Sequence, residues 1–209
     1  MVGSARRSQR TSISCALGAA LICSASASAA TFTVNSTAHG TDSNPATTTL
    51  VEAINAANGA AGADTIVLPS QTLFQVDDTV SVVLDSTGRT LYPRITGPTL
   101  IQGNGSTIDF LSAPTSRNAR FFVVAGGASL ELEDLSLIGG RLRGGDGAQG
   151  NFGNGGGGAA MGGAIYVDGA TASLTLRRST IAACSATGGN GGLGVGSIGG
   201  SGGAGGGMG

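Results

Sequence analysis

Lysine and tryptophan are missing from this 209-residue chain, and histidine occurs once, at position 39. The 11 basic residues are therefore all arginine, and charged residues of both signs reach only 11%. So little charge argues against a chain held open by self-repulsion. Cysteine is scarce as well. Of Cys15, Cys23 and Cys184, the first two fall in a leader-like segment, so the mature chain would keep one thiol and no internal disulfide. Stability must then come from packing and hydrogen bonding. The net charge is −1, and without Arg6, Arg7 and Arg10 of the leader 8 basic residues face 12 acidic ones. That balance excludes the concentrated basic surface that nucleic-acid binding needs. Arg177-Arg178 is the one basic pair left, and it fits an exposed strand edge better than a phosphate site.

Glycine is what the chain has in excess, with 39 residues. Each adds backbone entropy to be lost and no side chain to pack, which argues against a conventional helical or sandwich core. Low charge and high glycine agree if the fold is a stack of short strands joined by glycine turns. Twenty-eight of the glycines lie at or beyond Gly139. Gly144–Gly163 and Gly188–Gly209 hold little that could fill a core, and they are expected to project as long loops.

Residues 1–29 read as a signal peptide. Arg6, Arg7 and Arg10 supply the positive start, Ile13–Cys23 the apolar stretch, and Ala25–Ala29 the small residues before a cut after Ala29 or Ala27. The apolar run is shorter than the roughly 20 residues of a membrane-spanning helix. Residues 30–70 are expected to form an N-terminal cap with a strand at Thr31–Asn35, a polar loop at Ser36–Pro45 and one amphipathic helix at Thr49–Asn58. In that helix Leu50, Ile54 and Ala57 share a face, Thr49 caps the start, Glu52 suits the helix dipole, and Gly59 supplies a left-handed stop.

Beyond the helix the chain reads as short β segments at Thr65–Leu68, Thr72–Val76, Thr79–Leu84, Thr99–Ile101, Ser106–Phe110, Arg120–Val124, Ser129–Leu132 and Leu135–Ile138. The best internal match sets Phe121–Ile138 against Ala164–Ala182, with Ser129 and Ser173 44 residues apart. A glycine-rich insertion at 139–163 accounts for much of that interval. Removing it leaves a unit near the 20–25 residues of one β-solenoid coil. Leu130, Leu132, Leu174 and Leu176 should point inward, while Glu131, Glu133, Thr175 and Arg177 face water. The fold expected is all-β: a right-handed parallel β-helix (single-stranded solenoid) with a short N-terminal capping helix and glycine-rich loops. Its coils would span 71–187, and the glycine-rich segment 188–209 would continue in a longer protein.

Thr31–Thr37, Leu50-Val-Glu-Ala-Ile-Asn-Ala-Ala-Asn58 and Gly62-Ala-Asp-Thr-Ile-Val-Leu68 together resemble the N-terminal cap of bacterial exported proteins with the CSLREA motif. Leu50, Glu52 and Ala53 keep the motif, while Thr48, Thr49 and Val51 stand where Cys, Ser and Arg are expected. Gly162-Gly163-Ala164-Ile165 is similar to half of the repeat in polymorphic outer membrane proteins. The companion Phe-x-x-Asn would fall at Ile181–Cys184, where both key positions differ. These resemblances imply a pectate-lyase-like right-handed β-helix with a helical cap, exported and often displayed at the cell surface. They imply no reaction.

Because such helices include polysaccharide lyases and glycosidases, the acidic residues need weighing. Glu131, Glu133 and Asp134 could hold calcium, with Arg141 or Arg143 as the base. Leu-Glu-Leu-Glu alternation, however, makes the glutamates the wet face of one strand. Asp77-Asp78 could be a paired acid and base, or a solvated turn. His39 fits a plain loop residue, and Cys184 a packed one. Gly144-Gly145-Asp146-Gly147 matches a fragment of a calcium-binding repeat but lacks its apolar residue and tandem copies. The glycine runs lack the Gly-Lys-Ser/Thr ending of a nucleotide-binding loop.

No catalytic, cofactor-binding or metal residue is assigned. The function expected is a non-enzymatic, surface-displayed or secreted adhesive module. Its partner would be an extracellular polysaccharide or a host or cell surface, with outer-membrane association through a C-terminal region beyond this sequence. The alternatives are the N-terminal part of a carbohydrate-active β-helix enzyme and a glycine-rich matrix component without a packed helix.

Overall fold

A computed structural model describes residues 28–76, 83–85, 87–110, 118–148 and 155–192. Nearly all of the expected leader, the Asp77-Asp78 pair and residues 193–209 lie outside them. Among the described residues strand prevails, and the one helix stands near the start. In chain order the elements are β1 (Thr31–Thr33), α1 (Leu50–Gly59), β2 (Asp64–Val67), β3 (Leu73–Gln75), β4 (Val83–Asp85), β5 (Gly88–Thr90) and β6 (Pro98–Asp109). They continue with β7 (Phe122–Val124), β8 (Ser129–Ile138), β9 (Arg141–Arg143), β10 (Ile165–Val167), β11 (Ser173–Arg177), β12 (Thr180–Ala182) and β13 (Ser185–Thr187).

Thr-x-x-Glu starts the helix. The Thr49 hydroxyl accepts the Glu52 N–H at 3.2 Å, and the Glu52 carboxylate accepts the Thr49 N–H at 2.8 Å, a reciprocal capping box. Leu50, Val51, Ala53, Ile54 and Ala57 are buried under it. Gly59 is not the left-handed stop that its sequence context suggests. It is the last helical residue, and the extended Ala60 closes the helix by donating to the carbonyls of Ala56 and Ala57. The left-handed glycine is Gly62, with φ 114°.

The largest sheet runs β1-β2-β6-β8-β11 in parallel, with β3 added on β6 and β12 on β8. Its registers line up apolar residues strand after strand: Phe32, Ile66, Ile101, Leu132 and Leu176 form one column. Phe74, Ile108, Leu137 and Ile181 form a second. The parallel pair β7·β10 contributes Phe122, Val124, Ile165 and Val167, with Leu91, Tyr92 and Ile95 buried beside them. Period-two alternation is what sends these residues to one side. Among the named strands of the described residues, the pair β4·β5 is antiparallel.

Two expected strand breaks are absent. Thr99–Ile101 and all of Ser106–Phe110 but its last residue belong to the single 12-residue β6, and Ser129–Leu132 and Leu135–Ile138 to the single β8. The chain turns inside β6 at two positive-φ residues, Asn104 (φ 51°) and Gly105 (φ 79°), and inside β8 at Asp134 (φ 49°), while pairing resumes beyond each bend. Asn and Asp tolerate that conformation better than most residues. At the Asn104 bend β6 carries two extra residues, so the register with β8 shifts between Gln102 and Ser106.

The internal match survives in register, with Ser173 on Ser129, Leu174 on Leu130 and Leu176 on Leu132. Leu130 and Leu132 are fully buried as expected, but Leu174 is only half-buried and Leu176 is 45% exposed. No described strand follows β11 to cover them, which is the physical reason for the difference. Glu131 and Glu133 are half-buried, whereas Thr175 and Arg177 are exposed.

The described glycine segments do not project as loops. Residues 144–148, 155–158 and 187–192 run alongside one another and share six backbone hydrogen bonds of 2.7–3.2 Å. Hydrogen bonding between chains replaces the side-chain packing that these segments lack.

Candidate functional site

The acidic candidates lie on the outer side of β8, where alternation leaves Glu131 and Glu133 opposite the inward Leu130 and Leu132. The parallel register brings β11 alongside, so Thr175 sits on Glu131 and Arg177 on Glu133. Arg178 grips Asp134 with two bonds, Nε to Oδ1 at 2.6 Å and Nη2 to Oδ2 at 3.0 Å, and reaches Glu133 Oε1 at 2.6 Å. Arg177 pairs with Glu131. Hydrogen bonding from Arg178 holds the Asp134 carboxyl below its ordinary range, and the same contacts push the guanidinium further up. These three carboxylates are therefore all ion-paired, with two arginines between them.

Arg141 and Arg143 lie on β9, not beside those carboxylates on β8. Arg141 sits over the Phe110 ring, 5.0 Å from its centre, and donates to the Phe110 carbonyl at 3.2 Å. Arg143 pairs with Asp146 across three residues. Asp146 also accepts the Asn190 N–H at 2.7 Å, and these bonds lower its pKa, that from Arg143 most. The Gly144–Gly147 fragment thus spends its carboxylate on protein groups. Among the described residues no three His, Cys, Asp or Glu side chains come together as metal ligands would.

His39 lies in the loop before the helix and packs against aromatic rings. Its ring lies 5.0 Å from Tyr92, which stacks at 5.1 Å on Phe122. Burial raises the Tyr92 hydroxyl pKa. The loop carrying His39 is tied to the helix start, because the Gly40 carbonyl accepts the Thr49 hydroxyl at 2.6 Å and Glu52 accepts the Asp42 N–H at 2.8 Å. Cys184 is half-buried against the core, its thiol donating to the Ala182 carbonyl at 3.2 Å. Burial raises that thiol's pKa more than nearby backbone bonds lower it.

Arg120 was legible only as part of a strand, yet it is a fully buried cation. Its Nη2 donates to the Thr87 carbonyl, and its guanidinium lies 5.2 Å over the Tyr166 ring. Only a missing side chain at Gly88 leaves room, since an added Cβ would lie 2.6 Å from Nη2. A single Arg in an apolar run is the one sequence signal for such a residue.

Two open hollows lie on the described surface. One, of about 400 Å³, lies between the Asp42–Thr48 loop and the helix, over Phe32 and Glu52. The other, of about 220 Å³, lies at the starts of β2, β6 and β8 and is lined by Asp64, Thr99, Ser129 and Glu131. Neither gathers a convergent set of unpaired acids and bases. Among the described residues no helix is long and apolar enough to cross a membrane. Comparison with protein-family models, with curated proteins and with solved structures found no match to this chain.

Proposed function

We propose that this chain is an exported, non-enzymatic β-helix module that adheres to an extracellular polysaccharide or a cell surface. The backbone would wind as a right-handed parallel solenoid. The unbroken parallel registers from Thr31 to Thr175 support that architecture, as does the repeated left-handed bend at Asn104, Asp134 and Arg178. Parallel strands joined by crossovers also favour the right hand. The helix α1 suits a cap on the first coil, and the signal-peptide pattern supports export.

The observation that carries the non-enzymatic reading is the fate of the β8 carboxylates. Glu131 pairs with Arg177 at the end of β11, and Glu133 and Asp134 share Arg178 just beyond it, which makes an ion-paired outer wall instead of an open acid and base pair. A broad wall of this kind is suited to contact by area.

The test incubates the purified chain with insoluble polysaccharides and with whole cells, then follows retention together with product release. Retention without reducing ends or unsaturated sugar products supports the proposal. Release of either product would overturn it in favour of a lyase or glycosidase. For export, mass analysis of protein secreted from a bacterial host should give a chain starting at Ala30 or Ser28.

A further inference from the structure

We infer that residues 144–148, 155–158 and 187–192 form a clasp: three extended glycine chains closed into a triangle that locks the chain leaving β13 onto the chain leaving β9. The inference is independent of the adhesive function.

The closure follows from the donors. Gly144 and Gly147 donate to Thr187 and Asn190, Gly189 and Gly192 donate to Gly158 and Gly155, and Gly155 and Gly158 donate to Ala148 and Gly145. Every segment thus gives to one neighbour and receives from the other. Two of the chains run parallel and the third runs against them. Donors recur every three residues, which is the repeat of the left-handed three-residue helix with no internal hydrogen bonds. The β9·β13 pairing, Arg141 with Ser185 to Arg143 with Thr187, ends where this repeat begins. The clasp therefore continues a sheet edge by other means.

Glycine is needed here for close approach and not for a left-handed φ, since none of these glycines has a positive φ. A Cβ on Gly144 would fall inside the Gly158 carbonyl, one on Gly147 inside that of Gly155, and one on Gly189 inside that of Gly145. The Gly157 and Gly192 positions are blocked by the carbonyls of Gly189 and Ala148. Gly145, next to a forbidden position, has open space around its would-be Cβ. Collagen obeys the same steric rule at its crowded axis. The triangle is complete only when 187–192 is seated, so the clasp couples the end of the last described rung to the excursion that leaves the rung before it.

Amide hydrogen exchange on the full chain, resolved by residue, tests this. The six donor amides should exchange at least about tenfold more slowly than free glycine, with Gly145 and Gly157 faster. Gly144→Ala and Gly189→Ala should each abolish the slowing in all three segments and leave β6 and β8 protected, while Gly145→Ala keeps it. Equal behaviour of Gly144→Ala and Gly145→Ala would overturn the clasp. So would free-glycine rates in the unsubstituted chain, a result that needs no variant to fold.

Discussion

Leu176 is the register partner of Leu132 on the neighbouring strand, yet Leu132 is fully buried and Leu176 is 45% exposed. The same residue type in the same column differs only in whether another strand lies over it. Leu132→Ala should therefore cost about 2–5 kcal/mol, the cost of deleting a buried side chain and leaving a cavity. Leu176→Ala should cost about 1 kcal/mol or less, because much of that side chain already meets water. Urea unfolding of the two variants decides the matter, and equal losses would mean that Leu176 is covered in solution.

How far the sequence carries the fold is visible in that pair. The Ser-Leu-x-Leu repeat was readable because alternation is a local pattern, and Ser129 does pair with Ser173. The exposure of Leu176 was not readable, because it depends on what stacks above it. The bends inside β6 and β8 read as strand breaks in sequence, since left-handed Asn104 and Asp134 look like loop residues while hydrogen bonding continues past them. The glycine segments are illegible for a different reason. A bundle held by backbone bonds leaves no hydrophobic period, so composition alone suggested projecting loops. Of the candidate site, the placement of Glu131 and Glu133 on the outer face is legible, but their arginine partners 46 and 45 residues away are not.

Arg178 sets the titration of Asp134. Its bidentate contact lowers the carboxyl pKa, so Arg178→Gln should return it toward the ordinary value of 3.8. A carboxyl depressed in the folded state adds stability above its unfolded pKa and loses it as pH falls through the folded value. Both groups are exposed, so the stability effect should be small and further reduced by salt. NMR titration of Asp134 in the two proteins is the check, and an unchanged midpoint would refute the assignment.

Glu52 links the helix start to the loop before it. Backbone N–H groups of Thr49 and then Asp42 lower its pKa from 4.5. The capping box is thus intact at neutral pH and weakens in acid, as protonation removes an acceptor. Thr49→Ala should cost about 0.5–2 kcal/mol at neutral pH, the usual cost of a lost N-cap. The stability gap between the unsubstituted chain and Glu52→Gln should be widest above pH 4.5 and close as pH falls through the lowered value. Denaturation curves from pH 3 to 7 measure that gap, and one that does not change with pH would contradict the role.

Gly59 and Gly88 should answer alanine with opposite signs. At Gly59 the backbone is helical and nothing lies within 4 Å of an added Cβ. Alanine there removes freedom from the unfolded chain at no cost to the folded one, for a gain of about 0.4–1 kcal/mol. At Gly88 φ is 128°, a region that side chains avoid, and the added Cβ would lie 2.6 Å from the Arg120 guanidinium. Alanine there must strain the backbone and displace a buried cation from the Thr87 carbonyl and the Tyr166 ring. The expected loss exceeds about 1 kcal/mol. Thermal unfolding of both variants gives the two signs, and a Gly88→Ala protein as stable as the original would show that Arg120 is not held where the structure places it.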